Sequence, residues 1–335
     1  MIMLAVNPRG VTRAEGGSRD AWSVTTTLQG VRVTCLASDP RREGVVFAGT
    51  HGDGVLRSDD AGRTWRSVGM EGRIVKALAA DPVSVGTLYA GTKPASVFVT
   101  RNDGARWDEL EGFARVRRWF WMSPAEPPDR RPYVQGLGVS PTDPDVIVAG
   151  IEFGGVVRSE DGGVTWHGHL RGADRDCHSL TFHGSDGNWV YEAGGGGPAY
   201  SRDGGSTWRH TVEGLHGRYC WAVAADPVRP EVWYVSAAPF MAFPHVTRTP
   251  VAHHDGIAHA AIYRSSGGAP WERLSGDLPQ PLDHMPYGLA THPEMPGHLF
   301  AGMANGEAWR SRDHGETWEQ LPFTMGRISR TLVVL

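Results

Sequence analysis

Cysteine is scarce. Cys35, Cys177 and Cys220 are the three in 335 residues, an odd number, and each falls in a stretch read below as an inner strand. A disulfide scaffold is excluded, and buried free thiols in a reducing compartment are expected. Long apolar runs are lacking too. The run from Met1 to Val6 is broken at once by Asn7-Pro8-Arg9, too short for a signal peptide or a membrane span. A soluble cytoplasmic protein with no membrane partner is expected. Positive charge is not in excess. A net charge of −4 offers a nucleic acid no broad basic surface. What is plentiful is glycine, 44 residues, with 23 prolines and 40% hydrophobic residues. That composition suits a globular core made of many short strands and turns.

An internal period organises the chain. Ser58-Asp59-Asp60-Ala61-Gly62-Arg63-Thr64-Trp65, in the pattern Ser-x-Asp-x-Gly-x-Thr-Trp, returns at Ser159 to Trp166, Ser201 to Trp208 and Ser311 to Trp318. Looser copies end at Trp107 and Trp271, and a worn one ends at Trp22. The basic step of about 42 residues suits one four-stranded propeller blade. Each phrase reads as a tight turn between two strands. The Asp carboxylate accepts turn amides, the Gly supplies a special backbone conformation, and the Trp anchors the turn in apolar packing. A pattern present in nearly every blade is structural, because one site does not need seven copies.

The phrase resembles the Asp-box, or BNR repeat, of sialidases, xyloglucan-degrading enzymes, sortilin-type receptors and photosystem II stability/assembly factors. The resemblance covers essentially the whole chain and implies a β-propeller with the boxes on the face opposite the ligand site. It says nothing by itself about activity.

The fold expected is an all-β, seven-bladed propeller in a single domain, 1–335. Residues 1–28 lack a first strand, and Gly326 to Leu332 resembles Gly72 to Leu78. The C-terminal stretch 326–335 should therefore complete the first blade and close the ring, which removes exposed sheet edges. Two insertions, 113–132 and 238–260, fall in loops that emerge on one rim, opposite the boxes. Long loops in a compact fold are often functional.

Aligned inner strands give columns around the axis. Cys35, Ala77, Gly136, Ser179, Ala222, Gly288 and Thr331 are small, as crowding demands, and Leu36, Leu78, Leu137, Leu180, Val223, Leu289 and Leu332 read as core between blades. Thr34, Lys76, Gln135, His178, Trp221, Tyr287 and Arg330 vary, as pocket-lining residues do. A further column, nearer the inserted rim, holds Arg73, Arg175, Arg218 and Arg327, which either reach solvent and pair with loop acids or form a cationic mouth for a carboxylate or phosphate. The candidate ligand-binding set is those four arginines with His51, Asp53, Trp221 and Glu307. The candidate catalytic set is Glu152, Glu192, His178, Asp176 and Tyr287.

A ring of arginines with acids and tyrosines resembles in kind the sialidase site, which uses an arginine triad, a Tyr/Glu nucleophile pair and an Asp acid. The Arg-Ile-Pro motif of that family is absent and sialidases have six blades, so no catalytic residue carries across. His253, His254, Asp255 and His259 are ligand types for a divalent ion. Their spacing matches no helical zinc motif, so a polar lid is expected and no resident metal. The segment from Arg115 to Trp121 alternates basic and aromatic residues and reads as a lid or a protein contact.

Two functions follow as expectations. One is an axial pocket that binds, or hydrolyses as a glycoside hydrolase, a carbohydrate-like or anionic small ligand. The alternative is a non-catalytic interaction propeller with a protein partner on the inserted rim. The resemblance to the assembly factors, whose propeller meets protein through an arginine-lined surface, implies the latter.

Overall fold

Valine, isoleucine and alternating aromatics, cut at short intervals by glycine-rich turns, build seven antiparallel sheets in a ring. The computed structural model describes residues 1–16, 21–116, 121–123, 128–241 and 249–335. The inner strands are Val33–Ser38, Ile74–Ala80, Val134–Val139, Cys177–Phe182, Tyr219–Ala225 and Pro286–Ala290, which open blades one to six. Leu332–Val334 is the inner strand of blade seven and pairs antiparallel with Ile2–Asn7, Leu4 lying opposite Val333. The ring thus closes by joining the two ends of the chain, as the sequence leads one to expect.

Burial follows position in the blade. Second strands such as Val46–Thr50, Ile147–Ile151 and Val190–Gly194 are buried along their whole length, because neighbouring blades cover both of their faces. Outer strands such as Arg66–Ser67, Asp108–Glu109 and Arg209–His210 are exposed and charged, which blunts the outer edge of each sheet. Near the axis the inner strands crowd one another. A Cβ on Gly136 would meet the Leu180 Cβ at 2.8 Å, and one on Gly288 would meet the Leu332 Cβ at 2.5 Å. The three cysteines are buried free thiols.

The repeated phrase forms the turn between third and fourth strands. Gly62 N–H donates to Ser58 Oγ at 2.8 Å, and Ser58 Oγ donates to Asp60 Oδ1 at 2.8 Å. The Thr64 amide and hydroxyl donate to the Asp60 carboxylate at 2.8 and 2.6 Å. The same set of bonds recurs at Asp161, Asp203 and Asp313. In the second blade Thr100 and Asn102 take the places of Ser and Asp, and Arg106 N–H donates to Asn102 Oδ1 at 2.9 Å.

The first insertion lies between Asp108–Glu109 and Val134–Val139, and the second between Val232–Ala238 and Ala261–Ser266. Both therefore leave the face opposite the repeated turns. The segment from Arg115 to Trp121, read as a lid or a protein contact, is corrected at its last residue. Trp121 is buried near Phe113, which meets Trp166 edge-on at 5.3 Å, so this ring packs the propeller and is not presented to a partner. Arg117, Arg118, Trp119 and Phe120 of that segment, and His245 of the second insertion, lie outside the described residues.

Candidate functional site

The inner strands of blades one to six share an irregularity that aims side chains at the axis. Their pairing slips between Val33 and Cys35, Val75 and Ala77, Val134 and Gly136, Cys177 and Ser179, Cys220 and Val223, and Pro286 and Gly288. The residues left out are Thr34, Lys76, Gln135, His178, Trp221 with Ala222, and Tyr287. A bulge adds a residue to one strand and re-aims its side chain. These residues and Arg330 line an axial cavity of about 170 Å³. The leucine column, expected between blades, lines it as well. Side chains two residues apart share one side of a strand, so the leucines follow the bulged residues toward the bore.

The lining is tied together. Arg330 Nη1 donates to Gln135 Oε1 at 2.7 Å, and Gln135 Nε2 donates to the His178 carbonyl at 3.3 Å. Lys76 lies over the Tyr133 ring at 4.6 Å and Lys93 over the same ring at 5.4 Å. Trp221 stacks on His178 at 4.8 Å, and Tyr287 meets Trp221 edge-on at 5.1 Å. From the second insertion, His253 hydrogen-bonds the Tyr219 hydroxyl with Nε2 and the Tyr287 hydroxyl with Nδ1, both at 2.7 Å. Withdrawal from water, then the charges of His178, His254 and Arg327, lower the His253 pKa to about 4. A second cavity, about 200 Å³, lies between Trp221, His253, Tyr287, Arg327, Ser329 and Arg330.

Beside this channel, three of the expected catalytic residues meet. Glu152 follows the second strand of blade three, Asp176 precedes the inner strand of blade four, and His178 is its second residue. Their donor atoms lie within 4.8 Å of one another. His178 Nδ1 donates to the Cys220 carbonyl at 2.6 Å, and Nε2 faces Asp176 Oδ2 at 3.4 Å. Burial opposes charging His178, but Asp176, Glu152 and the Cys220 carbonyl outweigh it and raise its pKa. Burial, with Asp176 nearby, raises Glu152 to about 7 against the pull of His178, Arg330 and Lys76. Glu192 is apart from this trio. It is fully buried, its Oε2 accepts the Asp174 N–H at 2.8 Å, and burial pushes its pKa far up. Tyr287 lies in the channel wall and donates to the Ala252 carbonyl at 3.0 Å.

The four arginines stand apart from the axial cavity. Arg73, Arg175, Arg218 and Arg327 are exposed, and none lines the axial cavity. They belong to the loops leading into the inner strands, before the bulge, and so stand on the rim. Arg73 lies over the Phe98 ring at 4.9 Å, while Arg327 pairs with Asp255 and borders the second cavity. His51 bonds Arg32 at 2.7 Å, Asp53 is exposed, and Glu307 accepts Trp309 Nε1 at 3.1 Å. None of these three lines the axial cavity either. Lys76, Gln135 and Arg330 stood in the variable column but outside the chosen site. Tyr219 and His253 were not read as a pair, since an insertion has no repeat to align it.

The fold and site define a seven-bladed propeller with a polar, bulge-lined axis capped on its loop-rich face. No protein-family profile matches the chain, and no curated protein matches it. Solved structures do. The GH74 xyloglucanase from Xanthomonas campestris aligns with a TM-score of 0.63 and 19% identity over 87% of this chain and 45% of its own. An ancestral GH74 enzyme aligns at 0.61 and 17% over 95% of this chain and 40% of its own. YCF48 bound to D1 peptide aligns at 0.59 and 14% over 92% of this chain and 86% of its own. The chain therefore spans less than half the length of those GH74 enzymes and most of YCF48. At such identities the likeness concerns the fold alone. Among the described residues, no helix is long and apolar enough to cross a membrane.

Proposed function

We propose that the protein binds a small anionic or sugar-like ligand at the axial channel, on the face that carries both insertions. The bulge column carries this reading. Inner strands that only packed would not need six successive bulges to turn Thr34, Lys76, Gln135, His178, Trp221 and Tyr287 toward the bore. Lys76 and Arg330 bring positive charge, Gln135 an amide, and Trp221 and Tyr287 aromatic faces, which together suit a carboxylate or phosphate borne on a ring. The cavity of about 170 Å³ falls below the roughly 300–1,000 Å³ of drug-sized sites. It would seat one charged group and leave the rest of the ligand toward the rim.

Glycoside hydrolysis is the reaction that the acids suit, with Glu152 as a general acid and Asp176 as its carboxylate partner. It requires both to face the substrate, and neither lines the axial cavity. Binding therefore ranks ahead of hydrolysis. Melting curves with sugar acids, neutral oligosaccharides and phosphates test the proposal. A ligand at a hundred times its Kd stabilises by about 2.7 kcal/mol. The anionic compounds should raise the melting temperature, with the gain lost in Lys76→Met and Arg330→Met and kept in Arg175→Ala. A flat response to every compound would sink it.

A second reading rests on the exposed rim. Arg73, Arg175 and Arg218 stand outside the cavity, and exposed Phe153 belongs to the same face. That combination suits an acidic peptide or protein segment. Binding of an acidic peptide that weakens in the Arg175→Ala, Arg218→Ala double variant, with no response to small anions, would favour it.

A further inference from the structure

We infer that Glu152, Asp176 and His178 form a binding site for one divalent transition ion, of the manganese-to-zinc series, in the wall of the axial channel. Their donor atoms already lie within 4.8 Å of one another, and Glu152 directly follows Ile147–Ile151 while Asp176 directly precedes Cys177–Phe182, which contains His178.

The imidazole is set as a ligand. A carbonyl can only accept, so the 2.6 Å bond to Cys220 places the proton on His178 Nδ1. Nε2 is thereby the nitrogen turned to Asp176. A ligating histidine is commonly held in this way, its second nitrogen donating to a backbone carbonyl. The ring cannot turn away, because Tyr219 and Trp221 lie against it at 4.7 and 4.8 Å.

The carboxylates point the same way. Asp176 Oδ1 is shut off from water and has no hydrogen-bond partner, which is unusual for a buried acceptor. Its other oxygen occupies space that a side chain at position 195 would fill, since a Cβ on Gly195 would lie 2.1 Å from Asp176 Oδ2. The two carboxylates and the imidazole bring one donor atom each to a common point, where a divalent cation would be held between them.

The donor set selects the ion. One imidazole and two carboxylates suit manganese, iron or zinc, whereas calcium and magnesium favour oxygen alone. Cys177 lies next in sequence, but its thiol donates to the Ser179 carbonyl at 3.8 Å, away from the group. Bonds of about 2.0–2.2 Å place ligand atoms roughly 3.0–3.4 Å apart. The His178–Asp176 pair is already at 3.4 Å, so the remaining closure falls mainly to Glu152. Three protein ligands leave coordination positions for water or an anion, and the channel lined by His178 is the way in. The histidines of the second insertion are not the site, because His253 spends both nitrogens on tyrosines and Asp255 pairs with Arg327.

The metal alone is the probe, so the test does not depend on the proposed ligand. Chelator-stripped protein is dialysed against equimolar Mn²⁺, Zn²⁺, Mg²⁺ and Ca²⁺, then assayed for bound metal and for melting temperature. Retention of about one zinc or manganese per chain, with a higher melting temperature, is expected. Glu152→Gln and Asp176→Asn keep the side-chain shape and should weaken the ion about tenfold or more, whereas the His254→Ala, His259→Ala double variant should retain it. X-ray absorption on the zinc-loaded unaltered protein should show one imidazole among oxygen ligands, and it decides the matter if a variant fails to fold. No retained ion, unchanged affinity in Asp176→Asn, or a shell of two or more imidazoles overturns the site.

Discussion

Arg330 donates from Nη1 to Oε1 of Gln135 at 2.7 Å, although 195 positions separate them in the chain. They belong to blades seven and three, three blades apart in the ring, so the bond spans the bore. A ligand anion reaching the axis must compete with Gln135 for this guanidinium. Gln135→Ala should therefore lose about 1–2 kcal/mol of stability and bind a small anion several-fold more tightly. Urea unfolding and calorimetric titration read the two effects. Equal or weaker anion binding in the variant would show that the bond and the ligand do not compete.

In four blades the repeated turn is gathered on one aspartate, Asp60, Asp161, Asp203 or Asp313. Asp60→Ala removes an acceptor used by the amides of Arg63 and Thr64 and by the hydroxyls of Ser58 and Thr64. Leaving several donors without a partner costs about 1–3 kcal/mol. Asp60 and Asp203 lie in separate blades, so the Asp60→Ala, Asp203→Ala pair should lose the sum of the two single effects within about 0.5 kcal/mol. Urea midpoints of the four proteins check this. A strongly sub-additive pair would mean that the blades do not hold independently.

Stability should depend on pH with opposite signs at two kinds of acid. At Asp60 and Asp313 burial alone would raise the pKa, but the hydrogen bonds from the following Thr and the preceding Ser bring it down to about 2. A lowered folded pKa gives stability that is present above the unfolded value near 3.9 and lost as pH falls toward 2. Glu192 is the reverse case, because burial raises its pKa far above the usual carboxylate range. The native state then holds a proton that the unfolded chain releases, so stability falls as pH rises above about 4.5. Glu192→Gln keeps an acceptor for the Asp174 amide and removes that release. It should match the parent near pH 4 and exceed it by a widening margin toward pH 8 in denaturant titrations. Parallel curves at the two pH values would refute the assignment.

The blades were legible because the turn phrase is local: Ser58, Asp60, Gly62, Thr64 and Trp65 make their bonds largely within eight residues, so the pattern survives in the sequence. The axial lining was legible for a related reason. Repeats can be aligned, and Thr34, Lys76, Gln135, His178, Trp221, Tyr287 and Arg330 fell into one column before any geometry was known. What aims that column is a slip in pairing between two strands, and one strand's sequence does not display it. The arginine column, three residues earlier, lies before the slip and so stands on the rim, outside the cavity that the later column lines. The meeting of Glu152 with Asp176 and His178 depends on how two blades abut. The His253 clamp lies in an insertion, where no repeat supplies a register.

That clamp carries the last prediction. Tyr219 and Tyr287 come from the inner strands of adjacent blades, and His253 lies between their hydroxyls with one ring nitrogen on each. Nearby, Val251 and Ala252 are buried, and the Ala252 carbonyl accepts a second bond from Tyr287 at 3.0 Å. The described part of the second insertion is thus fastened beside the channel by this clamp and by the Ala258 and Ala260 amides, which donate to the Asp283 and Leu282 carbonyls at 3.0 and 2.8 Å. His253→Ala removes two hydrogen bonds worth about 1 kcal/mol each but leaves the buried contacts. Amide exchange at Val251 to His254 should accelerate about tenfold or more, while the turn around Asp60, on the opposite face, keeps its protection. Exchange that quickens equally at both places would point to global destabilisation and remove the clamp. Unchanged exchange at Val251 to His254 would show that burial of Val251 and Ala252 holds the insertion without it.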